Sequence, residues 1–240
     1  MPNLDYVHGP GNCRECFSAN DSLKVMGDWR LHNNPGYYGS DRPQTVILGF
    51  SKGANQNKAA AAGDFDKIAF AGARHRLQRV LEVLGLMPKD RSIDHLMTAK
   101  EPEFGVASLV RCSFCKMKAG SCKTSGDVVP SAFTNSDTLR IIEHCANKHL
   151  GKLPASTKKV ILLGNGEAYV SRTSQVLKLL HHDFRQLNDM AFQASGAIWL
   201  YAAHPSPGNG HYESWATGAK DSAQGRKRQL AIEALHGRSM

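Results

Sequence analysis

The sequence predicts an α/β fold, a three-layer α/β/α arrangement around a central, mostly parallel four-stranded sheet. Two observations carry this expectation. Short apolar runs rich in β-branched residues alternate with longer amphipathic stretches along the chain, the pattern of strands joined by helical crossovers. The runs are apolar at successive positions rather than at every second one, as in strands buried on both faces. Right-handed crossovers then put helices on either side of the sheet.

Thr45–Phe50 (TVILGF), flanked by Pro43 and Gly49, reads as the first buried strand. Asp66 to Leu84 follows as a helix, with Ile68, Leu77, Val80, Leu81 and Leu84 on one face and Gly85 where a C-terminal cap belongs. Val106–Val110 is the second strand. Ser136 is an N-cap candidate for a helix running to about Leu150, with Leu139, Ile142 and Cys145 on one side. Val160–Leu163 is the third strand and Ala168–Leu180 its helix. Ile198–Ala202 is the fourth, and a basic helix near Ser222–Leu235 closes the chain. The polar, Gly-rich or Ala-rich segments Lys52–Gly63, Ser113–Thr134 and Pro205–Gly218 read as loops.

A chain of 240 residues with 41% hydrophobic and 21% charged residues suits a single globular domain, here taken as 1–240. No apolar run approaches the roughly 18–20 residues that span a bilayer, so no membrane partner is expected. The first twenty residues carry Asp5, His8, Arg14 and Glu15 and have no apolar h-region, so the expected location is cytoplasmic, nucleoid-associated in a bacterium, and the expected state a monomer. Thirty Lys and Arg against twenty-one Asp and Glu give a formal charge of +9, which suits a polyanion such as nucleic acid.

In parallel α/β sheets ligands sit beyond the carboxyl ends of the strands, which directs attention to residues after Leu48, Val110, Leu163 and Ala202. After the first strand comes Gly49-Phe50-Ser51-Lys52-Gly53, whose glycines let a backbone approach a ligand and aim amides at an anion. It lacks the spacing of a Walker motif. After the fourth comes His204-Pro205-Ser206-Pro207-Gly208-Asn209-Gly210-His211. A His held by a rigid turn can donate to developing negative charge, and the Ser-Pro turn offers donors to a phosphate.

On these residues the chain resembles the uracil-DNA glycosylase superfamily, and most closely its iron–sulfur branches. Gly49–Gly53 is similar to that family's first motif, Gly-x-(Asp/Asn/Ala)-Pro-(Gly/Tyr). Ala69-Phe70-Ala71-Gly72-Ala73 is similar to its Pro-Phe-x-Gly-x-x-Gly segment, and Ser108-Leu109-Val110-Arg111-Cys112 to its Asn-x-Val-Lys-Cys strand end. Leu163-Gly164 and, with one extra residue, Ala168 resemble its Leu-Gly-x-x-Ala segment, and His204-Pro205-Ser206 matches its His-Pro-Ser motif. The resemblance implies a DNA-repair glycosylase that flips uracil, or another deaminated base, out of DNA and hydrolyses its N-glycosidic bond.

The six cysteines stand at 13, 16, 112, 115, 122 and 145. The resemblance implies that Cys13, Cys16, Cys112 and Cys145 hold a [4Fe–4S] cluster of structural role, pinning the N-terminal segment (about 1–43) and the Ser113–Thr134 loop to the domain. Two other readings stand beside it: a structural Zn held by Cys13, Cys16, Cys112 and Cys115, and unliganded buried thiols. Cys115 and Cys122 receive no role in the cluster reading.

The resemblance also implies roles at the strand ends. His204 donates to the uracil carbonyl oxygen as the base leaves as an anion. Phe70 stacks on the base, and Gly49, Phe50 and Ser108 contact it. Lys52, Gly53, Ser206, His211 and Tyr212 contact DNA, with His211 and Tyr212 as candidate wedges. Two departures stand out. Ser51 occupies the position where many relatives orient water with Asp or Asn, and a hydroxyl is a poor base. Asn55, Gln56, Asp64 and Asp66 are the substitutes within reach of the motif. Ser108 stands where an Asn reads uracil, and a hydroxyl cannot make both bonds of an amide. A non-catalytic relative that binds a flipped base, or a metal-stabilised α/β protein acting on another ligand, are the competing classes. The run Arg226-Lys227-Arg228 reads as a solvated helix face or a phosphate contact.

Overall fold

A computed structural model describes residues 6–18, 20–53, 56, 63–124, 126 and 128–237. In chain order the elements begin with β1 (Gly9–Pro10), β2 (Leu23–Met26), β3 (Trp29–His32), β4 (Gly36–Gly39) and β5 (Thr45–Gly49). Next come α1 (Arg74–Val83), β6 (Phe104–Ser108), β7 (Ser113–Lys118), β8 (Ser121–Lys123), α2 (Val128–Ala132) and α3 (Ser136–Leu150). The chain continues through β9 (Lys159–Leu163), α4 (Glu167–Leu180), β10 (Arg185–Asn188), β11 (Ala191–Ala194) and β12 (Ala197–Ala202). It ends with α5 (Tyr212–Thr217) and α6 (Ala223–His236).

The expected four-stranded sheet is overturned. The main sheet is mixed and eight-stranded, ordered β1-β4-β6-β5-β9-β12-β11-β10, and β2-β3-β7-β8 form a second, four-stranded antiparallel sheet. Strands β6, β5, β9 and β12 pair in parallel, while β4 and β1 flank them antiparallel on one side and β11 and β10 on the other. The added strands escape a search for continuous apolar runs because they are short and partly solvated. β10 is mostly exposed, β1 has two residues, and β4 reads Gly-Tyr-Tyr-Gly. Tight turns make two of the hairpins. Ala119 and Gly120 join β7 to β8, and Ser195 and Gly196 join β11 to β12, all with positive φ, as two-residue hairpin turns with a primed twist require.

Three further expectations change. The helix expected from Asp66 begins only at Arg74; a 3-10 turn at Phe65–Lys67 precedes it, and Phe70 (φ 52°) and Gly72 (φ 77°) break the helical path between them. Ser113–Thr134 is not a loop but holds β7, β8 and α2. Asn135, rather than Ser136, caps α3 by accepting the Thr138 amide at 3.1 Å.

Because side chains alternate across a strand, the central sheet feeds two cores. Val46, Leu48, Val160, Leu162, Trp199 and Tyr201 pack on one face with Ile142 and Cys145 of α3 and Leu177 of α4. Ile47, Ile161, Leu163 and Leu200 pack on the other with Leu77 of α1, Trp215 of α5 and Ala231 of α6. Among the described residues no helix is long and apolar enough to cross a membrane.

Candidate active site and cysteine cavity

The parallel strands end in register. Gly49 of β5 lies opposite Ser108 of β6, and Leu163 of β9 lies opposite Ala202 of β12. Gly164 continues β9 with φ 148°, and a side chain there would meet the Tyr169 ring at 2.5 Å. The chain can turn sharply into α4 only without a Cβ.

His204 follows β12 and is part-buried. The Ser206 amide donates to its Nδ1 at 3.0 Å, and the Asn209 side-chain amide donates to its carbonyl oxygen at 2.9 Å. A nitrogen that accepts an N–H carries no proton, so the neutral ring bears its proton on Nε2. Burial lowers its pKa to about 4, which keeps the ring a neutral donor at ordinary pH. The Phe70 ring lies 6.5 Å from the imidazole, tilted by 47°. Phe70 is 8% exposed and has φ 52°, a region costly for a bulky residue and concentrated at functional sites. Arg74 holds the segment, its Nε donating to the Ala69 carbonyl at 3.0 Å.

The other motif residues divide. Ser108 places its Oγ beside Gly49, 3.8 Å from where a Cβ would stand, and Ser51 is part-buried one residue beyond Phe50. Phe50 itself turns away from the strand ends into the core, 5.6 Å from Phe133 and 6.3 Å from Phe114. Lys52 is also internal: its ammonium donates to the Asn34 carbonyl, and burial lowers its pKa to about 8. A side chain so enclosed is no surface phosphate contact. Gly53 donates its amide to Gln56 Oε1 at 3.0 Å, which occupies that candidate water-binding oxygen. Asp64 pairs with Lys67 and Asp66 with His8, each at 2.9 Å; Asn55 lies outside the described residues.

Ser206 is part-buried, with its hydroxyl accepting the Gly208 amide at 3.3 Å. His211 is exposed, but Tyr212 is 1% exposed, donates to the Arg76 carbonyl at 2.8 Å and is covered by the Arg76 guanidinium. It is a core residue, not a wedge, because it opens α5 and faces α1. The basic run divides: Arg226 is exposed, as a solvated face requires, whereas Lys227 and Arg228 are part-buried. Arg228 binds the carbonyls of Trp215 and Gly218, and Lys227 that of Asn165.

Cys13, Cys16, Cys112 and Cys145 are free thiols that line one cavity. The chain brings them there from the N-terminal segment, the residue following the β6 turn, and α3. Glu15, between the first two, binds His144 at 2.7 Å and also Lys148, both on α3. Those bonds lower the Glu15 pKa, Lys148 first, and tie the N-terminal segment to the helix bearing Cys145. The Arg111 amide donates to Cys145 Sγ at 3.3 Å. Burial raises the Cys145 thiol to about 12 and Cys112 to about 11.

The zinc grouping is not assembled, because Cys115 is bonded to Cys122 in a disulfide across the β7–β8 hairpin. Cys115 shares the sheet face of Arg30, opposite the core-facing Phe114. Among the described residues, His32, Cys115 and Cys122 are the trio of potential ligands within 4.8 Å of one another. Thiolates around one tetrahedral zinc would sit about 3.8 Å apart, and the four cavity cysteines are not gathered that tightly.

A second feature of the cavity asks for negative charge. Arg111 is 3% exposed, and none of its three guanidinium nitrogens has a hydrogen-bond partner among the described residues. It lies 5.6 Å from the Tyr6 ring centre and 5.4 Å from that of Tyr37. Each such ring contact returns about 2 kcal/mol when desolvated, against a burial cost of several kcal/mol. Neither ring supplies the opposite charge. Four thiolates around an iron–sulfur core would supply it, so the residues present fit that group. Arg111 appeared in the sequence only as part of a motif; its burial and missing partners come from the packing of Tyr6 and Tyr37.

No protein-family model matches the chain, and no curated protein matches it.

Proposed function

We propose that the protein is a monofunctional DNA N-glycosylase that removes uracil or a related deaminated base, with a [4Fe–4S] cluster on Cys13, Cys16, Cys112 and Cys145. The reading follows the motif resemblance to the uracil-DNA glycosylase superfamily. The observation that carries it is the neutral imidazole of His204, whose Nδ1 is satisfied by the Ser206 amide while the ring faces Phe70 at the strand ends.

The cluster supplies structural cross-linking, not a reaction step. In hydrolysis the C1′–N bond breaks, water oxygen bonds to C1′, and the base leaves as an anion that then takes a proton. Phe70 offers the flipped base an aromatic face. His204 Nε2–H donates to the carbonyl oxygen on which charge grows, and its low pKa keeps it a donor that does not give the proton away. Ser51 orients the water without deprotonating it. Ser108 offers one hydroxyl where an amide would offer two groups, which relaxes base selectivity.

The test is abasic-site formation on oligonucleotides carrying uracil, hypoxanthine or xanthine. Cleavage at the modified position after alkali supports the proposal. Salt-sensitive DNA binding without excision would transfer the assignment to a damaged-base-binding protein of the same fold.

A further inference from the structure

We propose that Arg111 is the internal counter-charge of the cysteine cavity, a positioning residue that holds the cluster and raises its reduction potential. The inference deepens the function proposed above and rests on its cluster.

Three observations converge on Arg111. Arg111 is one of the residues lining the cavity of Cys13, Cys16, Cys112 and Cys145. Its guanidinium is buried with no hydrogen-bond acceptor among the described residues. Both aromatic neighbours have their hydroxyls committed elsewhere, Tyr6 to the His149 carbonyl at 2.9 Å and Tyr37 to the Ser40 carbonyl at 2.6 Å. The two rings therefore present π faces or edges to the cation and supply no anion. The same residue donates its backbone amide to Cys145 Sγ, so one residue offers the site both a fixed charge and an N–H to sulfur.

Lys52 is the natural comparison. It too is buried near Cys112, but its ammonium has the Asn34 carbonyl as acceptor, and Asn34 is itself held by the Ser113 amide at 2.8 Å. The Lys52 charge is already solvated by the protein. The Arg111 charge is not.

Four thiolates around a 2+ core carry a net charge of about −2, and one-electron reduction takes this to about −3 with no bond broken. A cation beside the cluster favours the more negative form. Removing it leaves the reduced form less stable, by about tenfold in the ratio of reduced to oxidised cluster at a given potential. For one electron that is 59 mV.

The experiment uses the full chain purified without oxygen, as wild type, Arg111→Met, Arg111→Lys and Lys52→Met. Iron and sulfide per chain are measured, and the cluster is titrated with dithionite through redox mediators while electron paramagnetic resonance records the reduced form. The expected result is a lower potential for Arg111→Met, near wild type for Arg111→Lys, and a smaller change for Lys52→Met. Loss of iron in Arg111→Met with retention in Arg111→Lys also supports the proposal, since charge rather than shape then holds the cluster. Two results overturn it while leaving the cluster in place: an Arg111→Met protein with wild-type iron and potential, or equal loss of iron in the Met and Lys variants. Wild-type protein without iron would overturn the cluster assignment itself.

Discussion

Under the proposed glycosylase activity, replacing His204 with Ala removes the side-chain donor assigned to the leaving base. Its Nδ1 already accepts the Ser206 amide at 3.0 Å, so the N–H left to donate is that on Nε2. Loss of one such donor in a water-poor site costs about 2.7–4 kcal/mol of transition-state stabilisation, or roughly a hundred- to a thousandfold in rate. The assay is single-turnover excision from a uracil-containing duplex with enzyme in excess, alongside duplex affinity measured by anisotropy. The rate should fall by that factor while affinity changes little, because phosphate contacts position DNA without touching the base. The pH dependence supplies a second reading. Burial holds His204 near pKa 4, below the ordinary His value of about 6.5. Between those values the unfolded chain binds a proton that the folded ring does not. The neutral ring therefore contributes stability that is present above pH 6.5 and lost as pH falls toward 4. Excision should show no His204 limb near neutrality, and melting temperature should drop on acidification less steeply in His204→Ala than in wild type. An excision rate within threefold of wild type for His204→Ala, or a wild-type rate limb near pH 6.5 that the mutation abolishes, would refute the neutral-donor argument.

Ser51→Ala should slow excision less than His204→Ala, since a hydroxyl there only orients water; the same single-turnover assay ranks the two. Phe70→Ala and Phe70→Gly should both weaken capture of the flipped base, read by fluorescence of a base analogue. The Gly variant should melt higher than the Ala variant, because glycine adopts φ 52° without steric cost. Anaerobic protein should contain about four iron per chain. Iron should fall in each of Cys13→Ala, Cys16→Ala, Cys112→Ala and Cys145→Ala but not in Cys122→Ala, and stoichiometric zinc without iron would defeat that assignment. Tyr212→Ala should destabilise the fold by about 3–5 kcal/mol in urea, as expected for a buried aromatic, while exposed His211→Ala should change stability by less than about 0.5 kcal/mol.

What was legible in the sequence is what local chemistry encodes. Continuous apolar runs located β5, β6, β9 and β12 to within two residues at each end, since burial on both faces leaves no polar alternation. Apolar spacing and a capping Gly85 located α1's C-terminal end, and Ser222 caps α6 by accepting the Gly225 amide at 3.0 Å. The His204 turn was legible because Pro205 and Pro207 restrict the backbone whatever surrounds them.

What only the tertiary structure decided depends on partners distant in sequence. Edge strands β1, β4, β10 and β11 exist through hydrogen bonds to neighbours, and their own side chains say little about them. Phe50 and Lys52 sit in a motif and Tyr212 opens α5, where the sequence suggested a loop; all three face inward because the second sheet, Asn34 and α1 lie where they do. Cys115 and Cys122 pair because an Ala119-Gly120 turn folds one strand onto the next. Arg111 is the sharpest case. In sequence it is one basic residue among thirty, and its buried, acceptor-free charge arises only when Tyr6 and Tyr37 close over it beside four thiols brought from positions 13 to 145. Solvent exclusion is a property of the assembled packing, so no local pattern in the chain can announce it.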